Sequence, residues 1–508
     1  MPVKEIDGES EELESEVAEE SSPSGLTEKA VRGGSWVFAL SASSNLFQFI
    51  KTIILARVLL PADFGLFGVA LLALSVLDTF SQTGVRQALI QKKDRARDFL
   101  NTAWTIDVVR GIVIALLFFF AAPYIASFFK VTGATNILRA VGLSLVLTNL
   151  TNITVIYFDK ELEFKKYFNY QFLGTIFDVL VSIVAVLILK NVWALVLGLL
   201  AGTIVRLIMS FVIDPYRPKL ELKLEKAKEL WKFGRWVLSY NALILLITQG
   251  DDIFVGKFLG AVSLGFYQMA YRISNMPATE VAHVIAQVTF PAYAKLQDDI
   301  PHLRKAYLRV LKATVILAFP VAGLIFVLAP DFTRLFLGAK WLAAVPLMQI
   351  LVIFGVTRAV NATTGPIFQA VGKPKILAWV SLAQLIFMAA IIYPLARGYA
   401  LPGIAWAVTL ANLFCFTISF REVIKVTKET SGNIFKVIFP SLLSTAGIMF
   451  FAYATKKLTI HHLPLLAVFA LSLLAGILVY FVYLKISGFS FKNILGKGLD
   501  QMLWKKKA

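Results

Sequence analysis

Nine polar or charged side chains interrupt long apolar stretches of this chain: Asn45, Gln48, Lys51, Asp78, Gln249, Asp251, Asp252, Arg272 and Arg358. Their chemistry suits binding. A guanidinium grips a phosphate or diphosphate through two parallel N–H···O bonds, and an ammonium attracts it as a point charge. Amides and carboxylates suit the hydroxyls of a sugar. Asn45, Gln48 and Lys51 fall three apart, which places them on one slowly rotating face of a helix. Asp251 lies 200 residues after Lys51, with Gln249 and Asp252 beside it. Packing ion pairs, such as Lys51 with Asp78, are the alternative reading for any one of these residues.

Other charges read as structural. Asp178 and Arg206 sit at equal depth on successive antiparallel spans, which predicts an ion pair between them. Asp107 and Arg110, one turn apart, are expected to pair within their own helix. Arg57 and Lys257 stand at helix ends as interface anchors. No exposed segment carries a phosphate-cradling glycine loop, a nucleophile elbow or paired catalytic carboxylates. His283, His302, His461 and His462 have no ligand spacing with acids or with the single cysteine, Cys415. The chain therefore predicts no enzyme, metal site or cofactor.

The elements that must hold these residues are membrane spans. Hydrophobic residues make up 58% of 508 positions and charged ones 16%, with a mean hydropathy of +0.73, whereas a soluble domain is roughly a quarter charged. Apolar runs of about 20 residues, enough to cross a ~30 Å hydrocarbon core, recur along the chain. They predict spans near 34–56, 66–88, 102–122, 137–158, 170–189, 192–213, 235–256, 266–292, 310–329, 346–371, 376–396, 402–420, 434–454 and 463–484. The fold class is thus all-α integral membrane with about 14 transmembrane helices.

The net charge of +18 is no nucleic-acid footprint. The first 28 residues are strongly acidic and lack the apolar core of a signal peptide; they read as a disordered tail. The basic excess lies in short loops. With both termini cytoplasmic, that side holds 35 Lys and Arg against 11 outside, the bias that orients membrane proteins. The longest internal loop, 214–233, is basic and interleaved with leucines, which predicts an amphipathic connector on the anionic inner leaflet.

The chain also repeats. Gly34-Ser35-Trp36-Val37 matches Gly234-Arg235-Trp236-Val237 at an offset of 200, as do Arg57 with Lys257, Leu59 with Leu259 and Gly65 with Gly265. A parallel duplication follows, a common transporter build with the substrate between the halves. The expected organisation is a tail over 1–33, a first lobe over 34–213, a connector over 214–233, a second lobe over 234–420, and two added helices with a basic tail over 421–508.

Several segments carry a resemblance. They are Leu55-Ala56-Arg57 through Pro61 to Gly65, then Gly84 with Ala88-Leu89-Ile90-Gln91, Lys160 to Lys165, and Val192 to Val196. Asp251 to Gly260, Leu264-Gly265-Phe266-Tyr267, Phe290-Pro291-Ala292 and Leu337-Gly338 with Trp341 complete the set. Over about residues 30–420 the chain resembles the polysaccharide-transporter branch of the multidrug/oligosaccharidyl-lipid/polysaccharide flippase superfamily, above all the Wzx-type exporters of colanic and teichuronic acid. The resemblance implies a V-shaped pair of six-helix lobes that exports undecaprenyl-diphosphate-linked repeat units across the inner membrane by alternating access. It also implies membrane lipids, a polymerase and other polysaccharide-assembly proteins as partners, and it adds weight to Asp251 and Arg358. Gln82 and Asp252 depart from the family's usual acid and Asn, which leaves any carried-over ion coupling open. Rival readings are a drug or metabolite exporter of the same superfamily, a lipid II flippase, and a membrane glycosyltransferase or ligase.

Overall fold

A backbone in lipid must satisfy its own N–H and C=O groups, so apolar runs of this length fold as helices. The computed structural model describes residues 40, 43–82, 84–85, 88–89, 96–131, 133–160, 163–276, 289 and 293–487. Among the described residues it is all-α, and ten helices are long and apolar enough to cross a membrane. The expectations placed on 1–33, on Trp36 with Trp236, on His283, and on the basic tail lie outside the described residues or side chains.

Helix α1 covers 43–58. Next come α2 (Pro61–Ser81), α3 (Leu100–Phe128), α4 (Thr135–Asn149), α5 (Val155–Lys160), α6 (Phe164–Leu189) and α7 (Trp193–Ile213). The remainder are α8 (Leu224–Ser274), α9 (Ile300–Phe332), α10 (Val345–Asn361), α11 (Gly365–Ala370), α12 (Lys375–Thr427), α13 (Ser431–Thr459) and α14 (Leu465–Ile486).

Four sequence expectations change in detail. The span 235–256 and the start of 266–292, as far as Ser274, share α8, of 51 residues, and 376–396 and 402–420 share α12, of 53. A straight helix of that length would run about 75 Å, more than twice a ~30 Å hydrocarbon core. Each is broken once, at Gly260 (φ 82°) and at Ala400 (φ 51°). The spans 137–158 and 346–371 are interrupted instead. After α4, the Thr151 hydroxyl donates to the Thr148 carbonyl and Asn152 Oδ1 accepts from both the amide and the hydroxyl of Thr154. After α10, Thr363 and Thr364 donate to the carbonyls of Val360 and Asn361. Such local bonds compete with the helical ladder and end it.

The connector is fastened to α3, with Leu220 and Leu222 left exposed. Residues 214–223 are not helical, and helix resumes at Leu224. Its backbone and side chains lock onto the first turns of α3. Tyr216 Oη donates to Asn101 Oδ1 (2.7 Å), Asn101 Nδ2 donates to Glu221 Oε2 (3.1 Å), and the Glu221 amide donates to Thr105 Oγ1 (2.9 Å). Burial, and then the charge of Glu221, push the Tyr216 hydroxyl above its ordinary pKa. The Lys223 ammonium is also raised, chiefly by its hydrogen bond with Glu221.

The chain divides into two units. The first takes 1–59, 70–128 and 132–244, and its helices pack closely where glycines remove side chains. A Cβ on Gly198 would strike Ser182 and Asp178 of α6, and one on Gly142 would strike Phe118 of α3. Lipid offers no hydrophobic drive between helices, so such close approach supplies the association. The second unit takes 60–69, 129–131 and 245–508. Here the repeat-matched glycines meet: a Cβ on Gly65 would collide with the Ala261 carbonyl, and one on Gly265 with that of Pro61. Phe64 and Phe266 both set their edges against the fully buried Trp341, at 5.2 and 5.8 Å. The added helices α13 and α14 lie against α9 in this unit, with Lys456 paired to Asp331 at 2.6 Å.

Candidate functional site

In the first unit the charged positions form two clusters. Gln48 and Lys51, one turn apart on α1, both reach Asp178 of α6. Lys51 Nζ lies 2.6 Å from Oδ1 and Gln48 Nε2 2.6 Å from Oδ2. The Ser182 hydroxyl adds a longer contact to Oδ1 at 3.4 Å. The predicted polar stripe is therefore real at these two positions, while Asn45 is exposed. The predicted pairing is not, because the partner of Asp178 is Lys51 and not Arg206.

Arg110 of α3 makes the second cluster. Its Nη1 lies 3.0 Å from Asp78 Oδ1 and 3.1 Å from Ser81 Oγ, and its Nη2 donates to Asn149 Oδ1 at 2.9 Å. It reaches across to α2 and α4, so its carboxylate is Asp78 and not Asp107. Asp78 in turn is not the partner of Lys51.

The second unit holds a chain of polar groups on either side of the Gly260 break. Tyr267 Oη donates to the buried Asp251 at 2.6 Å, and Gln268 Nε2 to Asp252 at 3.3 Å. Folding α8 back on itself sets 251 beside 267 and 252 beside 268. Arg358, in the last turn of α10, donates to Tyr271 Oη at 2.9 Å. Cations are favoured at a helix C-terminus. The Tyr271 ring stands 6.4 Å from that of Tyr267 and 5.6 Å from Phe354. Asp251 and Arg358 thus belong to one hydrogen-bonded and aromatic network. Gln249 is half-buried on the same helix as Asp251, and Arg272 is exposed in the last turn of α8.

Sequence reasoning missed Tyr267, Gln268 and Tyr271 as partners. The signal for Tyr267 and Gln268 was a spacing of 16 across a turn, which is visible only once Gly260 is known to reverse the helix; for Tyr271, 87 residues before Arg358, the sequence held none. Among the described residues, no group of three His, Cys, Asp or Glu side chains could hold a metal ion. Cys415 is buried and accepts from Asn361 Nδ2 at 3.3 Å.

Comparison with known proteins places this architecture. The family described as "Polysaccharide biosynthesis protein" matches residues 54–346. The chain is 27% identical to the lipopolysaccharide biosynthesis protein WzxC of Escherichia coli (strain K12), over 69% of this chain and 72% of that one. It is 24% identical to the teichuronic acid biosynthesis protein TuaB of Bacillus subtilis (strain 168), over 93% and 99% respectively. Among solved structures, the lipid II flippase MurJ in its inward closed conformation aligns with a TM-score of 0.72 and 16% identity, covering 91% of this chain and 99% of that one. An inward-facing multidrug resistance transporter of the MATE family aligns at 0.62 and 16% identity, covering 76% and 96%. At that identity the two structures bear on the fold alone. The protein is an all-α, multi-pass membrane protein, and the family match over more than half its length makes it a member of the polysaccharide biosynthesis protein family.

Proposed function

We propose that this protein carries an undecaprenyl-diphosphate-linked oligosaccharide repeat unit from the cytoplasmic to the outer face of the inner membrane by alternating access. The named relatives act in polysaccharide biosynthesis, which supports the substrate class. The observation that carries the reading is Arg358. Its guanidinium meets the Tyr271 hydroxyl, and no carboxylate pairs with it directly among the described residues. A guanidinium inside an apolar span with no carboxylate in direct contact is costly unless an anion meets it, and a diphosphate is such an anion. Asn45, Gln48, Gln249, Asp251, Asp252 and Arg272 then serve the sugar and the approach to it. Lys51 and Asp78 are already paired, with Asp178 and Arg110 of the same unit. A cation exporter of the same superfamily would need an acid-lined path, whereas Asp251 and Asp252 are already held by Tyr267 and Gln268. A polymerase and other assembly proteins are the partners that would consume the exported unit.

The test is transport in proteoliposomes loaded with a fluorescent undecaprenyl-diphosphate glycan, read as exposure to a membrane-impermeant glycosidase. Arg358→Ala should abolish exposure of the glycan. Arg358→Lys should stay impaired, because the bidentate fork is lost. Both variants should insert to wild-type levels. Full transport by Arg358→Ala would remove the electrostatic case. Faster transport of lipid II than of any polysaccharide unit would move the reading to a lipid II flippase.

A further inference from the structure

The first unit contains a cation with no direct hydrogen-bond or ion-pair partner among the described residues. Arg206 lies on α7, seven residues before its end at Ile213, about 10 Å along the axis. It is half-buried, and among the described residues it has no hydrogen-bond or ion-pair partner. Asp178 is the acid that should serve it. Both flank Gly202, where a Cβ would meet the Asp178 Cβ and an Arg206 nitrogen. Yet Asp178 gives Oδ1 to Lys51 and Oδ2 to Gln48. Two cations and one carboxylate leave this cluster one charge positive.

The surroundings keep room for the arginine. Gly174 of α6 lies directly under its stem, where a Cβ would collide with the Arg206 side chain. The glycines at 174 and 202 thus form a notch that seats both the stem and the guanidinium, whose nitrogens lie beside both glycines. A guanidinium there presents two parallel donors matched to phosphate oxygens.

We propose that Arg206, seated between Gly174 and Gly202, is a binding site for a lipid phosphate. The phosphate is either the diphosphate of a polyprenyl carrier, which rests on the function proposed above, or the headgroup of a phospholipid. Lys51 has the opposite role: it is the counter-charge that occupies Asp178 and so keeps Arg206 available.

The experiment uses the full chain in nanodiscs of zwitterionic lipid, titrated with farnesyl diphosphate and with farnesol. Native mass spectrometry of the same protein measures retained phosphatidylglycerol. Arg206→Gln should either weaken farnesyl diphosphate binding about tenfold or more, the loss of one charge-assisted contact, or strip the phosphatidylglycerol. Farnesol binding should not change, and Arg206→Lys should fall between. The melting temperature of Arg206→Gln should hold or rise, because no internal partner is orphaned, whereas that of Asp178→Ala should fall. The first loss assigns the carrier diphosphate, and the second assigns a phospholipid headgroup. Unchanged farnesyl diphosphate affinity together with unchanged phosphatidylglycerol retention overturns the site. If Arg358→Ala alone loses farnesyl diphosphate binding, Arg206 is refuted while the proposed function stands. If the wild type binds no farnesyl diphosphate but Arg206→Gln strips phosphatidylglycerol, the phosphate site stands and the proposed function loses its support.

Discussion

Lys51 shows what a membrane interior demands of a single charged residue. An ammonium at this depth must be hydrated or paired, and α1 meets the demand by aiming Gln48 and Lys51 at the two oxygens of Asp178. Removing one member of such a pair strands the other and costs about 3–5 kcal/mol, while replacing both is far milder. Asp178→Ala and Lys51→Ala should therefore each lower the thermal stability of the purified protein, and the double variant should lose less than the sum. Strictly additive losses in that cycle would show that the pair is not coupled. The types of these residues and their helical face were legible in the sequence. Their partners were not, because depth along a span narrows the choice to several acids without ranking them. Asp178 stands at the right depth for Arg206 as well as for Lys51. What decides between them is lateral packing, set by Gly174, Gly198 and Gly202, which bring α6 and α7 together.

At the scale of elements, the two long helices turn at residues with opposite chemistry. Gly260 adopts φ 82°, where a side chain is strained although the space around it is open. Ala400 adopts φ 51° with ψ −130° and carries that strain in its Cβ. Gly260→Ala should destabilise the protein by about 1 kcal/mol or more, and Ala400→Gly should be neutral or stabilising. Melting curves of the two variants check this, and a gain in stability from Gly260→Ala would mean that the turn is built differently. Helix existence was legible nearly everywhere, because an apolar run in lipid has no other regular option. Helix interruption was less so. Asn152, Thr154, Thr363 and Thr364 read as ordinary polar residues near span ends, and their local bonds to the backbone appear only when the side-chain geometry is known. The connector's fastening was hidden for a similar reason. Its charges and leucines suggested a surface segment, while Asn101 and Thr105, which fasten it, lie more than a hundred residues earlier.

For the molecule as a whole, composition and the repeat were sufficient to reach an all-α membrane protein, and the match to the polysaccharide biosynthesis family agrees with that reading. The repeat also bears on structure, since Gly65 and Gly265, 200 residues apart, meet each other across crossing helices. Replacing Gly265 with Val should disturb this crossing and abolish transport, and protease sensitivity of the purified variant would report the change. Orientation rests on charge alone. The loops assigned to the cytoplasm carry 35 Lys and Arg and those opposite carry 11. The membrane potential and the insertion machinery hold basic loops on the cytoplasmic side, and a bias of this size favours that orientation. We therefore predict that both termini face the cytoplasm. A reporter enzyme active only outside that compartment should be silent when fused after Ala508 and active when inserted in the turn at His461–His462, between α13 and α14. The two fusions check each other, because α14 alone lies between the two sites among the described residues, and one crossing gives them opposite outcomes. Strong activity after Ala508 would reverse the topology. It would also place Arg206 near the outer leaflet, where no carrier diphosphate arrives before transport.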